Sequence, residues 1–460
     1  MIFSHLKELA PEEYKKIMNR AKADIQNVLP SVEQILKDVK EKGDEALRYY
    51  TKEFDNTEIQ DFRVYKEEFK EAKKKVSREI REALQKAQKN IEFFHKQQLG
   101  KSWFYTRGGA RIGQILKPLE SVGCYIPGGR AAYPSTVLMT VIPAKVAGVE
   151  RVVCITPPRK DKKANELVLA ACEICGVDEV YKVGGAQAIA ALAFGTQSIP
   201  KVDKIVGPGN IYVTAAKKLV SDYVAVDNPA GPSEVLILAD DAADAELLAL
   251  DMIAQAEHDP NSSSVLITTS KELGAQVVRN LKNLRIERAE ARTSLMNNAA
   301  VLIVDKLEHG IKFCNEYAPE HLQIVVRKPK ALLDKIKNAG SIFLGAYTPV
   351  ACGDYVSGTN HVLPTMGYAR TYSGLSVNDF VKFISVQEFS RGALKKIGKS
   401  IITLAEAEGL HGHAESVRKR IEMSPFEKSP RGKLLASAST TAGLGRGARS
   451  AATKRRMLRL

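Results

Sequence analysis

The sequence predicts an α/β fold in which two tandem Rossmann-like, doubly wound units are flanked by helical N-terminal and C-terminal segments. From about residue 117, short β-branched runs such as "RVVCIT" and "EVLILAD" alternate with helical stretches. The runs are apolar on both faces, which is typical of parallel strands covered by helices on both sides. Around residue 234 the series restarts, which indicates a second unit of the same kind.

Both ends of the chain have helical patterns. In "SREIREALQKAQKNIEFF", Ser77 is a candidate N-cap, and the apolar residues after it recur at steps of three and four. In the C-terminal segment, Gly409 and Gly412 loosen the middle of a helical stretch. We therefore predict a helical region at 1–116, Rossmann-like units at 117–233 and 234–376, a helical segment at 377–423 and a basic tail at 424–460.

The composition is that of an ordinary soluble globular protein. No apolar run approaches the roughly 20 residues needed to cross a bilayer. The polar, acid-containing start "MIFSHLKELAPEEYKK" fits neither a secretory signal nor a transit peptide. We expect a cytoplasmic protein that does not bind membranes through its folded part.

The net charge of +15 raises the question of a nucleic-acid partner. From Ser424 on, nine Lys or Arg residues stand against the single acid Glu427, in a segment rich in Gly, Ser, Ala and Thr. Such a segment has too little apolar surface to offset its ordering entropy, so we predict a disordered tail. The charge of the folded part therefore does not favour a nucleic-acid partner. The alternative is a weak attraction of the tail to RNA or a membrane surface.

The six cysteines do not predict a disulfide framework in a chain of 460 residues. Cys172 and Cys175 form a lone C-x-x-C in "LAACEICGVD". A redox pair or half of a zinc site is one interpretation of this motif. Packing within a helix is the interpretation that we favour, because no second C-x-x-C follows.

Two glycine-containing turns are candidates for binding a dinucleotide. Gly184 and Gly185 lead from a strand into a helix in "VGGAQAIAALAFGT", and Gly207, Gly209 and Asn210 do the same in "VGPGNIYVTAAKK". The free N–H groups at such helix starts favour a phosphate. Neither turn has the full G-x-G-x-x-G spacing, so an ordinary tight turn remains the alternative.

Three patches combine imidazole, carboxylate and amide groups, which suit Zn²⁺ or a similar metal. Gln255 and His258 lie three residues apart at the end of the predicted helix "AELLALDMIAQAEH", hence on one face. The other two patches are a glycine-rich loop and the region around two glycines near the C-terminus. They contain Asp354 with His361, and Glu408 with His411 and His413.

The stretch "YAPEHLQI" places Glu320 next to His321 at the start of an apolar run, directly after Pro319. Adjacent side chains on a strand point to opposite faces, so the pair is not expected to contact itself. A site between them would offer two bases. A solvent-facing turn is the alternative interpretation.

Motifs in order along the chain resemble the histidinol dehydrogenase family over about nine-tenths of its length: "GCYIPGGRAAYPSTVLMTVIPAKVAGV", "VGPGNIYVTAAKK", "DNPAGPSEVLILAD", "QAEHDPNSSSVLITTS", "YAPEHLQI", "GSIFLGAYTPVACGDYVSGTNHVLPT" and "AEAEGLHGHAES". The resemblance implies oxidation of L-histidinol through L-histidinal to L-histidine, the last steps of histidine biosynthesis. It implies two NAD⁺ and one water per histidine. It also implies one Zn²⁺ per subunit and an intertwined homodimer with shared active sites.

The resemblance also assigns roles to individual residues. It implies His321 as the base that takes the proton of the alcohol, and Glu320 as the base that takes a proton from water in the second oxidation. Zinc would be held by Gln255, His258, Asp354 and His413, and the order of "GLHGHAES" favours His413 over His411. The substrate would contact these ligands together with Ser233, His321, His361 and Glu408. NAD would contact Tyr125, Gln187 and Asn210.

Two alternatives to this function remain at the level of the sequence. A relative could use the same zinc and NAD machinery on another amino or sulfonated alcohol. A basic RNA- or membrane-binding protein with an α/β scaffold is the other, and only the tail at 424–460 supports it. The family has no counterpart of that tail.

Overall fold

The computed structural model describes residues 1–20, 25–128, 132–229 and 231–423, so the predicted disordered tail lies outside the described residues. The chain divides into two compact units. The first consists of Met1–Lys101 and Leu116–Ile384, and the second of Ser102–Ile115 and the chain from Ser385 onward. No described helix is both long and apolar enough to cross a membrane.

The N-terminal region is mainly helical, as predicted, but it also contains strands. Its elements are β1 (Ile2–His5), α1 (Pro11–Asn19), α2 (Leu29–Lys42), α3 (Asp44–Asp55), α4 (Lys66–Lys75), α5 (Arg78–Lys96), β2 (Trp103–Arg107) and β3 (Ala110–Pro118). The cap of α5 is confirmed, because the Ser77 side chain accepts a hydrogen bond from the Ile80 N–H at 3.3 Å. Leu84 and Ile91 of the predicted stripe are buried, whereas Ile80 and Phe94 are exposed.

The first Rossmann-like unit contains a sheet of five parallel strands in the order β6-β5-β4-β7-β8. Its apolar runs pack against helices, as the sequence predicts. The elements are β4 (Ser121–Tyr125), α6 (Pro134–Ala147), β5 (Arg151–Thr156), α7 (Glu166–Cys175), β6 (Glu179–Lys182), α8 (Gly185–Phe194), β7 (Lys204–Val206), α9 (Ile211–Val220) and β8 (Ala225–Val226).

The second unit repeats this strand order and adds β1 at one edge, giving the order β1-β11-β10-β9-β12-β13. All five pairings in this sheet are parallel, so the α/β prediction is confirmed. The elements are β9 (Glu234–Ala239), α10 (Ala245–Ala256), β10 (Ser263–Thr268), α11 (Lys271–Asn283), α12 (Ala289–Asn298), β11 (Ala299–Ile303), α13 (Leu307–Tyr317), β12 (His321–Val325), β13 (Ser341–Leu344) and α14 (Val350–Tyr355).

The last elements are β14 (Val381–Phe389), α15 (Arg391–Ala407) and α16 (His411–Glu422). Strand β14 belongs to a third sheet, with the order β14-β3-β2, which the sequence reasoning did not anticipate. Between α15 and α16, Gly409 has a φ of +73°, in the left-handed region that favours glycine. The predicted loosening of the helical stretch therefore occurs at this glycine.

The cysteines are free thiols in the core or at its border. Burial raises the pKa of Cys175 well above its ordinary value, and neighbouring Cys172 and Cys124 raise it further. A thiol in this state stays protonated, so it is a poor metal ligand and a poor nucleophile. Cys172 is part of the apolar core and Cys175 packs against it, which supports the packing interpretation of the C-x-x-C.

Candidate active site

Two carboxylates face each other where β9 and β12 begin. The Glu234 N–H donates to Oε2 of Glu320 at 2.8 Å, and the Glu320 N–H donates to Oε1 of Glu234 at 3.1 Å. Both residues are buried, with 1% and 5% exposure. Because each carboxylate is anchored on the backbone of the other residue, the two strand starts hold one another in position.

The segment before β12 has an unusual backbone that aims Glu320 and His321. Helix α13 ends at Tyr317, and Ala318 follows in the left-handed region with a φ of +49°. This conformation is costly for a residue with a Cβ and persists only where its surroundings hold it. Pro319 then fixes the backbone leading into the strand.

His321 contacts Glu320 directly, so the expectation that adjacent side chains point apart is wrong here. Its Nδ1 lies 3.4 Å from Oε2 of Glu320 and donates to the Glu234 carbonyl at 3.0 Å. The alternation rule fails because Glu320 lies before the strand, which begins at His321. With Nδ1 engaged, Nε2 is the nitrogen left for chemistry, and it lies 3.9 Å from Oδ1 of Asp354.

Opposing effects set the pKa of His321. Burial alone would lower it, but the carboxylates of Glu320 and Asp354 and the carbonyl of Glu234 raise it to about 9. Part of this increase comes from the negative charge of Asp354. A cation bound to Asp354 would cancel that part and make the neutral, basic imidazole more accessible near neutral pH.

His361 and His258 belong to the same neighbourhood. The Nδ1–H of His361 donates to the Asp354 carbonyl at 2.9 Å, which again leaves Nε2 free. Burial lowers the pKa of His361, Asp354 opposes this effect, and the charges of His258 and His321 lower it further. The contacts of Asp354 with His321 and His361 bring these three predicted site residues together, and His258 is close enough for its charge to affect the pKa of His361.

Gln255 is the predicted site residue whose environment most clearly calls for a ligand. It is 2% exposed, yet neither its amide oxygen nor its amide nitrogen has a hydrogen-bond partner among the residues that the structure describes. Leaving such a group unpaired costs about 1–3 kcal/mol. Helix α10 ends at Ala256, before His258, but the His258 N–H still donates to the Gln255 carbonyl at 3.4 Å. The turn thus continues, and His258 is exposed beside it.

Among the described residues, no group of three or more His, Cys, Asp or Glu side chains is arranged to hold a metal. Three of the four predicted zinc ligands lie in the first compact unit: Gln255, His258 and Asp354. Only two of these, His258 and Asp354, are of the His, Cys, Asp or Glu types. The fourth predicted ligand, His413, lies on α16 in the second unit and is exposed. Glu408 and His411 are exposed there as well.

Three predicted cofactor residues lie at the carboxyl edge of the first sheet. The Tyr125 hydroxyl accepts the Gly185 N–H at the start of α8, at 3.1 Å. The Asn210 side chain caps α9. Gln187 is 1% exposed, and within the described part of the chain both polar atoms of its amide lack a hydrogen-bond partner. A buried amide without a partner at a helix start suits a polar ligand.

A buried ion pair fixes the loop that leads to Asn210. The Lys217 ammonium contacts the Asp227 carboxylate and donates to the Gly207 carbonyl at 3.0 Å. Asp227 also accepts the Gly207 N–H at 2.6 Å. Gly207 has a φ of +116°, and a Cβ there would lie 2.2 Å from the Tyr125 carbonyl oxygen. Only glycine fits between the pair and the strand.

Replacing Lys217 by Met leaves Asp227 buried without its partner. We expect the free energy of unfolding to fall by about 3–5 kcal/mol, as it does when one member of a buried pair is removed. Urea unfolding measures this change, and Lys218→Met, at an exposed position of the same helix, is the control. An equal loss in both variants would contradict the role of the ion pair.

In the second sheet, the candidate active site lies at the edge opposite to the one at which ligands usually bind. Ligands of open α/β sheets generally bind at the carboxyl ends of the strands, yet Glu234 and His321 lie at amino ends. Ser233 immediately precedes β9 at this edge, and its carbonyl accepts the Ser263 N–H at 3.1 Å. Glu234 was missed by the sequence reasoning. Its signal was a carboxylate at the start of a strand that is apolar on both faces, where an unpaired charge is expensive.

Comparison with known proteins decides the family. The model of the family described as histidinol dehydrogenase matches residues 18–421. The chain belongs to the histidinol dehydrogenase family. The histidinol dehydrogenase of Methanocaldococcus jannaschii is 56% identical over 427 residues, which is 92% of this chain and 99% of that protein. The histidinol dehydrogenase of Methanosarcina barkeri is 51% identical over 431 residues, again 92% of this chain and 99% of that protein.

A solved structure agrees with this assignment. The crystal structure of histidinol dehydrogenase from Elizabethkingia anophelis matches with a TM-score of 0.85 at 40% identity, covering 92% of this chain and 98% of that one. The predicted family and fold class are thereby confirmed. A member of the histidinol dehydrogenase family is an oxidoreductase of histidine biosynthesis with NAD-linked chemistry.

Proposed function

We propose that this enzyme oxidises L-histidinol through L-histidinal to L-histidine, using two NAD⁺ and one water, with His321 and Glu320 as its two bases. The observation that carries the proposal is the contact between these two buried bases, beside Asp354 and near His258 and His361. Each oxidation needs the removal of one proton as hydride leaves. Two adjacent bases meet this need in one site.

In the first oxidation, Nε2 of His321 takes the proton of the alcohol. Its Nδ1–H is held by the Glu234 carbonyl, so the tautomer with a free Nε2 is the one that the backbone selects. In the second oxidation, Glu320 takes a proton from the water that hydrates the aldehyde. The hydrated aldehyde again has a hydroxyl on a carbon that can release a hydride. Its oxidation therefore needs the same removal of a proton and a hydride as the oxidation of the alcohol.

The residues present fit a bound zinc ion. Gln255 offers a buried amide without a partner, and Asp354 and His258 supply a carboxylate and an imidazole, a donor set suited to Zn²⁺. We propose one Zn²⁺ per subunit, held by Gln255, His258, Asp354 and His413. When bound, the metal supplies a fixed positive charge that holds the imidazole and amino nitrogens of histidinol and so orients the reacting carbon.

Substrate specificity follows from the groups around this position. We propose that Ser233, His321, His361 and Glu408, together with the metal ligands, contact the substrate. His361 suits such a contact because burial lowers its pKa, which keeps its free Nε2 an acceptor. The alternative substrate, another amino or sulfonated alcohol, has no imidazole. The residues that we propose to contact the imidazole of histidinol would then have no function.

We further propose a homodimer with shared active sites, in which His413 and Glu408 act in the site of the partner. Both side chains are exposed in the chain by itself. Strands β2 and β14 also expose large apolar side chains, which a second copy would cover; these are Trp103, Phe104, Tyr105, Phe383 and Ile384. The cytoplasmic localisation remains a prediction.

NAD supplies the hydride acceptor, and we propose that it binds at Tyr125, Gln187 and Asn210. The unpaired Gln187 amide and the helix start at Gly185 fit a cofactor with polar groups and phosphates. Since neither turn has the full glycine fingerprint, we expect only modest affinity for NAD.

The test of the reaction is its stoichiometry. Purified enzyme is supplied with histidinol and NAD⁺, and the NADH formed per histidine is counted. The expected ratio is two. One NADH per histidinol consumed, with histidinal instead of histidine as the product, would leave the second oxidation without support. Removing residues 424–460 should leave turnover unchanged. Loss of turnover in this variant, together with loss of an RNA or vesicle binding that the full chain shows, would favour the nucleic-acid or membrane alternative.

Replacing His258 by Ala tests the metal site directly. We expect the purified variant to lose bound zinc, measured by elemental analysis per subunit, because an imidazole ligand is missing. His309→Ala, at an exposed histidine away from the proposed ligands, is the control and should keep its zinc. Full zinc content in the His258 variant would remove His258 from the ligand set.

A further inference from the structure

Arg20 contacts two residues that adjoin the two bases, Glu234 and Tyr317. It ends α1 in the left-handed region with a φ of +56°, and its side chain is 6% exposed. Its guanidinium contacts the Glu234 carboxylate, donates to the Tyr317 carbonyl and stacks over the Tyr317 ring at 3.7 Å from the centroid. A positive φ is costly for arginine and persists only where contacts hold the residue in place. The three contacts with Glu234 and Tyr317 do so here.

The first contact of Arg20 concerns charge. Glu234 and Glu320 are buried carboxylates at the starts of two neighbouring strands, Glu320 directly before β12, and like charges this close repel. Burial raises the pKa of Glu234, Arg20 lowers it and Glu320 raises it, and together these effects bring it to about 7. Arg20 therefore favours the ionised form of Glu234 next to a second carboxylate, and an ionised Glu234 accepts the Glu320 N–H more strongly.

The other contacts of Arg20 concern position. Tyr317 is the last residue of α13. Three residues later, the Glu320 N–H donates a hydrogen bond to the Glu234 carboxylate. Arg20 thus holds the start of the segment directly and its end through Glu234. The segment between them contains the left-handed Ala318. Its geometry decides where the Glu320 carboxylate and the His321 ring lie.

We propose that Arg20 is a positioning residue for this reaction, acting through Glu234 on the placement of Glu320 and His321. The inference rests on the roles proposed above for these two bases. Arg20 contacts Glu234 and Tyr317, so we assign it neither a proton transfer nor a substrate contact. Its effect is on the rate of the chemical steps, because misplacing a base by about 1 Å costs up to about 100-fold.

The test compares Arg20→Met and Arg20→Lys with Arg327→Met. Arg327 is a matched control, because it pairs with the exposed Asp241 at 2.9 Å. Oxidation of histidinol and of histidinal is measured separately, with KM for NAD⁺, zinc content and Tm. We expect Arg20→Met to lower kcat by about 10- to 100-fold, with KM for NAD⁺ and zinc content unchanged. Arg20→Lys should recover part of kcat, and Arg327→Met should match the wild type.

A double variant shows whether Arg20 acts through Glu320. In histidinal oxidation, Arg20→Met added to Glu320→Gln should cost little more than Glu320→Gln alone, since residues acting as a unit are not additive. Additive losses, or a lowered Tm with normal kcat, would overturn the inference. If Arg20→Met does not fold, Glu234→Gln, which keeps the shape but not the charge, takes its place. The wild-type enzyme is measured in the same assay. If it oxidises both substrates while the variants contradict the role of Arg20, only the inference about Arg20 fails and the proposed reaction stands.

Discussion

Replacing His321 by Asn should lower the turnover of histidinol by about 10²- to 10⁴-fold, the range that a positioned general base contributes. Asparagine is the informative substitution because its amide N–H can replace the Nδ1–H that donates to the Glu234 carbonyl. The fold around Glu320 should therefore persist while the basic Nε2 is lost. The measurement is kcat for each oxidation.

Zinc content separates this role from that of a ligand. In the structure, Nε2 of His321 lies 3.9 Å from Asp354, beside the proposed metal ligands but not among them. We expect the His321→Asn variant to keep one zinc per subunit. His309→Asn, at an exposed histidine, should keep both zinc and activity. Loss of zinc from the His321 variant would make His321 a ligand and leave the first proton transfer without its base.

The sheets of both Rossmann-like units could be predicted because their strands are buried on both faces. The interior of a run such as "EVLILAD" is wholly apolar between its terminal acids, without the polar positions of an amphipathic helix, and the run forms a parallel strand. Strands β1, β2 and β14 were missed because each lies at an edge and is partly exposed. The parallel partner of Ile2 is Ala300, and no local pattern reveals so distant a pairing.

Some residues of the candidate site could likewise be predicted from the sequence, and others could not. Glu320, His321 and Asp354 were found because motifs carry them, and the structure brings them together. Glu234 and Arg20 were missed, because their importance lies in contacts across more than 80 residues of sequence. Arg20 in "KKIMNRAK" reads as one more basic residue on a helix. Only its burial against Tyr317 distinguishes it.

Replacing Glu320 by Gln should separate the two oxidations. The amide keeps an oxygen for the Glu234 N–H, but it cannot take a proton from water. We expect the oxidation of histidinal to fall by about 10²- to 10⁴-fold, and the oxidation of histidinol to fall much less. Measuring NADH from each substrate separately gives both values, and Glu316→Gln, at an exposed position of α13, is the control.

The close contact in the structure makes this separation a demanding test. Glu320 lies 3.4 Å from Nδ1 of His321, so it also influences the base of the first oxidation. A purely electrostatic role would therefore affect both oxidations alike, whereas a base for water affects only the step that consumes water. Equal losses would assign Glu320 to the support of His321. Accumulation of histidinal during histidinol turnover would show that the second proton transfer had lost its acceptor.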